Sequence, residues 1–372
     1  MKRQYDLDWI RVIATLAVFI YHCFMFFNPW AWHVKNNETD PTYITALSLF
    51  MSGWLMPSFF VVSGINSYYT LQKRSGRQYI KERVSRLGVP LLFGIMILTP
   101  PQIYMERVSH GQYSGSFFSW YPHYFDGVYL GIGGPGNFAF VGLHLWYLLV
   151  LLIFSLITLP FFLKIKPNIS RELTPFHLFV LSIPLIIITI LIDVVNLGGW
   201  DISFYLAIFL YGYIFFTKST FKSVVQRLLP ATMTISILTT VFFVFGFMTG
   251  MPSDNGGLSI LLACVKAINC WSWLLVIFAL ADKKLSNPNK WLNYGSKVSM
   301  PFYVIHQPII VTLGFLISDW EWSISVKLIF LLVTAFIMII VFYHYIISRF
   351  SFIQILFGMK GSTGKISEIK EN

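Results

Sequence analysis

Between Arg11 and His22 lie ten residues, VIATLAVFIY, and none of them is charged. A fixed cation and a ring that titrates near neutrality therefore bracket one apolar run. On a helix, eleven residues turn through about 1100°, three turns plus about 20°, and rise about 16 Å. Arg11 and His22 then share a face, and Asp8, one turn before Arg11, shares it too. If the run crosses a bilayer, Arg11 sits at the inner interface and His22 lies deep in the hydrocarbon, where an ionisable group usually faces a cavity. The cation suits an anion, and a neutral imidazole suits proton abstraction at neutral pH. Two plainer readings stay open: a histidine bonded to a neighbouring helix, and an arginine that marks the inner side.

Other residues invite the same kind of question. KERVSRLGVPLL puts Arg83 and Arg86 at i and i+3. On one helix face the two guanidiniums repel unless an anion lies between them, and their planar forks fit phosphate; the alternative is a stop-transfer cluster. His306 stands in MPFYVIHQP, and His144 precedes Trp146 in GLHLWYLL. Ser63 precedes Gly64 in FFVVSGIN, where glycine permits close helix approach. Each has a structural alternative: a core histidine, an interfacial belt, a packing device. Asp193, Asn196 and Asp201 read as solvated. Lys266 reads as snorkelling outward or pairing with an acid such as Asp201. His33, His110, His123 and His177 read as loop or interface residues, and His344 as interfacial.

The elements that must position these residues follow from composition. The chain has 372 residues, 56% hydrophobic and 12% charged, against about 25% charged in an ordinary soluble domain. Mean hydropathy is +0.67. The expected fold is all-α and integral to a membrane, with about ten transmembrane helices in one bundle. The apolar runs are about 9–29, 44–71, 87–105, 140–163, 176–195, 202–217, 229–250, 258–281, 299–318 and 325–348. With the N-terminus inside, every one of the 27 Lys and Arg except Lys35, Arg107, Lys266 and Lys327 falls on an inner segment, so both termini are expected in the cytoplasm. The net charge of +11 is then a matter of topology and does not call for nucleic acid. Residues 1–350 read as one membrane domain and 351–372 as a disordered cytoplasmic tail. The acidic Asp6 and Asp8 argue for a retained first span rather than a leader. The three cysteines lie in apolar runs, so no disulfide is expected, and no metal-ligand spacing occurs. The segment 102–139 is rich in aromatics and glycine. It suits either sugar faces or an interfacial belt.

The set Arg11-x10-His22, FFVVSG, Arg83-x-x-Arg86 before LGVPLL, HLWYLL and FYVIHQP resembles the membrane acyltransferase-3 family, and most of all its branch that succinylates envelope glucans. The resemblance runs from residue 5 to about 310. It implies a multi-pass enzyme of the plasma membrane, with no bound cofactor and acyl-CoA (acetyl-CoA or succinyl-CoA) as cosubstrate. The acceptor is a glycan or related hydroxyl-bearing molecule on the far side. The donor's phosphates would rest on Arg83, Arg86 and Arg11, and its pantetheine arm would bring the thioester to His22, the general base. Asp8 would orient Arg11. Ser63, His144, Trp146 and His306 would support the site. Family members often carry a further esterase-like domain. None is expected here. Direct transfer and an acyl-enzyme both remain open, as does the acyl group.

The rival class is a transporter or flippase of a glycan or lipid-linked substrate. Such proteins usually show repeat symmetry and membrane-embedded acids. The sequence shows no repeat, and no Asp or Glu is expected deep within a span.

Overall fold

The computed structural model describes residues 3–165, 173–250 and 256–359. The chain is overwhelmingly helical, as the composition requires. In chain order the main helices are α1 (Tyr5–Phe27), α2 (Tyr43–Leu71), α3 (Gly76–Ser109), α4 (Leu143–Ile157), α5 (Pro175–Leu191), α6 (Ile202–Ile214), α7 (Ser219–Arg227), α8 (Leu229–Met248), α9 (Gly257–Lys284), α10 (Lys290–Ile317), α11 (Ile324–Ile347) and α12 (Ser351–Leu356). Seven of them, α1, α2, α3, α8, α9, α10 and α11, are long and apolar enough to cross a membrane. α6 and α7 form a pair bent by 108° that qualifies together, and α4 and α5 are shorter apolar helices. Each of the ten apolar runs therefore has its helix. The only strands among the described residues are a two-residue ladder, Asn196–Leu197 with Trp200–Asp201. α12 occupies the start of the expected tail, and 360–372 lie outside the described residues.

The chain divides into two compact units. The first comprises Met1–Ala17, Ala46–Tyr79 and Phe154–Ser296. In it α2 and α6 approach closely at two glycines. A Cβ on Gly64 would lie 2.1 Å from the Phe209 carbonyl oxygen, and one on Gly212 would lie 2.4 Å from that of Val61. Nothing larger than hydrogen fits at either position. α8 and α9 are joined instead by polar groups. The Asn269 amide reaches the Ser236 carbonyl and the Thr239 and Thr240 hydroxyls at 3.1, 2.9 and 2.8 Å.

The second unit comprises Val18–Thr45, Ile80–Ile153 and Lys297–Asn372. Its long helix α3 begins well before the expected span and ends at Ser109, four residues beyond it. Pro100 and Pro101 do not stop it. The helix widens into π turns at Val84–Gly88 and Gly94–Leu98. A proline has no N–H to give to the preceding turn. One carbonyl freed in this stretch, that of Ile95, takes the buried Tyr124 hydroxyl at 2.8 Å.

The longer α3 takes in Glu106, one residue past the expected run: it stands in the last turn of the helix and is fully buried. Two further expectations fall to packing. Asp201 is buried rather than solvated: it caps α6 by accepting from Ser203 N at 2.7 Å, and also accepts from Val194 N and Val195 N. Burial raises its carboxyl pKa, but these bonds outweigh it, and the group titrates below the usual range. Lys266 neither snorkels free nor pairs with Asp201. Its ammonium lies 4.4 Å over the Trp200 ring and donates to the Gly199 carbonyl.

Candidate functional site

Three of the residues singled out by spacing meet in the second unit. His22 comes from α1, His306 from α10 and His144 from the first turn of α4. His22 Nδ1 lies 2.7 Å from His306 Nε2, with the rings 5° from parallel. His306 Nδ1 is 2.6 Å from the Tyr303 carbonyl oxygen, one turn back on α10. His144 packs edge-on to His306, ring centroids 5.1 Å apart.

Hydrogen bonding assigns the protons. A carbonyl oxygen only accepts, so His306 Nδ1 carries its ring's hydrogen and Nε2 is a lone pair. In the neutral pair His22 Nδ1 must then donate to that lone pair. Nε2 of His22 is left bare, the atom a general base needs. His306 is 1% exposed, whereas His22 keeps part of its surface accessible.

His144 is delivered by a strained turn and a helix defect. Gly142 and Leu143 both hold left-handed backbone, at φ +79° and +52°. For leucine that is uncommon and costly. The reason lies on α10. Pro308 has no N–H for the Val304 carbonyl four residues earlier. His144 Nε2 donates to that orphan oxygen at 3.1 Å. The same logic leaves His144 Nδ1 as a lone pair, and this buried atom has no hydrogen-bond partner. The Tyr303 hydroxyl closes the frame by donating to the His144 carbonyl at 2.5 Å.

Trp32 extends the cluster. Its ring centroid lies 5.3 Å from that of His22 and 5.0 Å from that of His33. His33, expected as a loop residue, is 3% exposed and bonds Glu106 Oε2 at 2.5 Å. Tyr129 donates its hydroxyl to the same oxygen at 2.8 Å, and Gly133 N donates to Oε1 at 3.0 Å. Sequence reasoning missed this carboxylate. Its signal was there: an Glu106–Arg107 pair set in an otherwise uncharged stretch.

The remaining candidates separate. Arg83 and Arg86 belong to the second unit. Arg83 is half-buried, and a π turn starts directly after it and contains Arg86. Arg86 lies 3.5 Å from Glu82. Trp146 opens the α-helical part of α4. Arg11, Asp8 and Ser63 belong to the first unit. Asp8 pairs with Arg11 and with Arg3, the latter at 2.7 Å. These side chains, with Asn66, Tyr69 and Lys73, line a pocket of about 160 Å³ holding three cations and one carboxylate. Arg11 Nε is buried there without a partner. Ser63 is buried on α2 beside the Gly64 crossing. Among the described residues no group of three or more His, Cys, Asp or Glu is placed to hold a metal ion.

Comparison with known proteins matches this chain to a family model described as an acyltransferase domain, over residues 4–346. The glucans biosynthesis protein C of Shigella dysenteriae serotype 1 (strain Sd197) is 31% identical over 173 residues, which is 46% of this chain and 42% of that protein. The protein of the same name from Escherichia coli (strain K12) is 30% identical over 172 residues, with the same shares. The matched segment thus spans less than half the length of these curated relatives. No solved structure matches.

Proposed function

This chain belongs to the membrane acyltransferase-3 family, and from that premise we propose that it moves an acyl group from acyl-CoA to a hydroxyl of a glycan, with His22 as general base. The observation that carries the proposal is the proton assignment, which leaves Nε2 of His22 unprotonated on a residue that keeps part of its surface accessible. In the proposed step the acceptor oxygen attacks the thioester carbonyl while His22 Nε2 takes its proton. The tetrahedral intermediate then collapses, the carbon–sulfur bond breaks, and the leaving thiolate receives that proton from His22. His306 holds the ring in its productive tautomer. His144 Nδ1 is a second lone pair beside the pair, suited to accept a hydrogen bond from the incoming hydroxyl.

The donor's phosphates need cations. The Arg3, Arg11 and Lys73 pocket offers three, and Arg83 with Arg86 is the alternative pair. The 16 Å of α1 between Arg11 and His22 matches a task for a thin pantetheine arm. Acetyl-CoA and succinyl-CoA are both candidate donors. The relatives are named for glucan biosynthesis, which supports a glucan as acceptor, and we place the chain in the plasma membrane.

Transport remains the second reading, favoured by one observation, the buried Glu106. Its oxygens are already engaged by His33, Tyr129 and Gly133, which suits structure better than shuttling. The test uses the full chain in nanodiscs with labelled acetyl-CoA or succinyl-CoA and a glucan. Wild type is expected to move label onto the glycan as an alkali-labile ester, and His22→Ala is not. Equal transfer by both would remove His22 from the chemistry. Separate Arg11→Ala and Arg83→Ala/Arg86→Ala variants, measured by calorimetry, identify which cations bind the donor.

A further inference from the structure

The segment between α3 and α4 is not a passive belt. It folds on its own aromatic core, in which Trp120, Tyr124, Tyr129 and Ala139 pack against Ile103 of α3. Arg107 pins it down. This side chain, 6% exposed, donates from Nε to Asn137 Oδ1 at 2.9 Å, from Nη1 to Gln112 Oε1 at 2.6 Å and from Nη2 to the Gly136 carbonyl at 2.7 Å. Gly127, Gly133 and Gly136 turn the chain at φ +71°, +73° and +77°, a conformation side chains resist. The result is a cleft of about 450 Å³, within the roughly 300–1,000 Å³ range of small-molecule sites.

We propose that this cleft, lined by Arg107, Gln112, Tyr113, Trp120, His123, Asp126 and Asn137, binds a neutral sugar ring of the acceptor glycan. The inference rests on the acyl-transfer reading above and gives the acceptor a site. Three features argue for the ligand class. Arg107 lies 3.6 Å from the Glu106 carboxylate and Asp126 lies 2.8 Å from His123, so the cleft offers no uncompensated cation to an anion such as a nucleotide or a uronic acid. Arg107 is spent on holding the loop, which leaves to a ligand the Asp126 carboxylate and the Gln112 and Asn137 amides, planar groups of the kind that bond two neighbouring hydroxyls at once. Aromatic rings line the same walls, as an amphipathic ring requires. Position supplies the fourth argument. Arg107 follows Glu106, Glu106 bonds His33, and Trp32 stands between the rings of His33 and His22. The cleft and the reactive imidazole thus belong to one contiguous set of side chains.

The test measures binding without donor, on the full chain in nanodiscs. The probes are a neutral gluco-oligosaccharide of seven residues and a uronic acid oligomer of equal length. Wild type is expected to bind the neutral probe and to bind the charged one at least tenfold more weakly. Asp126→Asn and Tyr113→Ala, both at accessible positions, are each expected to weaken the neutral probe at least tenfold. Phe118→Ser, on the same segment but outside the cleft, is expected to bind as wild type does. Wild-type affinity in both cleft variants, an equal loss in Phe118→Ser, preference for the charged probe, or no binding of either probe to wild type would each overturn the site. Acyl transfer is assayed separately on the same samples. If transfer persists while the cleft variants bind normally, the cleft is wrong and the enzyme reading survives. If the cleft binds sugar and wild type transfers no label, the enzyme reading falls instead.

Discussion

Two histidine pairings in one unit are backed by opposite chemistry. The His22–His306 pair ends on the carbonyl of Tyr303, and the His33–Glu106 pair ends on a carboxylate. A carbonyl adds no charge. It can only orient a neutral ring and leave a lone pair at the far nitrogen. A carboxylate brings a charge that must be satisfied, and here it gathers an imidazole, a phenol hydroxyl and a backbone N–H. One arrangement keeps a proton acceptor available and the other ties three segments together. Burial alone does not make a histidine reactive; what stands behind the ring does.

The contrast can be broken most severely at His22. Its replacement by alanine is expected to lower acyl transfer by about 10²–10⁴-fold, the usual contribution of a general base, measured as labelled ester per unit time. His33→Ala should not match that loss in the rate at saturating acceptor, and parity between the two would erase the distinction. Next comes Glu106→Ala, which leaves His33, Tyr129 and Gly133 without their acceptor. Each buried unsatisfied group costs about 1–3 kcal/mol, so the melting temperature should fall by several degrees. An unchanged melting curve would show that the carboxylate holds nothing.

His306→Phe sharpens the other half. His22 loses the partner that selects its tautomer, and the rate should drop about 10–100-fold, the scale seen when partners that orient imidazoles are removed. Donor KM should stay constant, and nitrogen-15 spectra of His22 should show mixed tautomers. A single unchanged tautomer would refute the lock.

The smallest effect concerns Lys35, a cation backed only by carbonyls. Its ammonium donates to the Met25 carbonyl at 2.7 Å and to that of Asn28. Burial pulls its pKa down to about 8. Between about 8 and the ordinary value of 10.5 the folded chain binds fewer protons than the unfolded one, so stability should rise with pH across that window. Below 8 the cost is fully present. Lys35→Met should flatten the rise, and a flat wild-type melting profile from pH 8 to 10 would contradict it.

Much of this is legible in the sequence. Apolar runs located the main helices other than α7 and α12, and the eleven-residue step picked out Arg11 and His22, with His144 and His306 flagged beside them. Two things were hidden for physical reasons. Hydropathy ends a span where polar residues begin, but α3 carries its helix through Pro100 and Pro101 by widening its turns, which hides Glu106 inside. The partnership of Glu106 with His33 joins residues 73 apart. No local pattern encodes such a meeting; it arises only when the helices pack. The proton assignment was equally out of reach, because it depends on which carbonyl faces which nitrogen.

Pro308 has a consequence for engineering. A residue that breaks its own helix's ladder looks like an easy target for stabilisation, and alanine there would restore the missing rung. The repair would give the Val304 oxygen a new suitor and release the imidazole of residue 144 from its mooring. In this molecule the flaw in one helix is the socket that seats another, and mending it would loosen the very ring it was left open to receive.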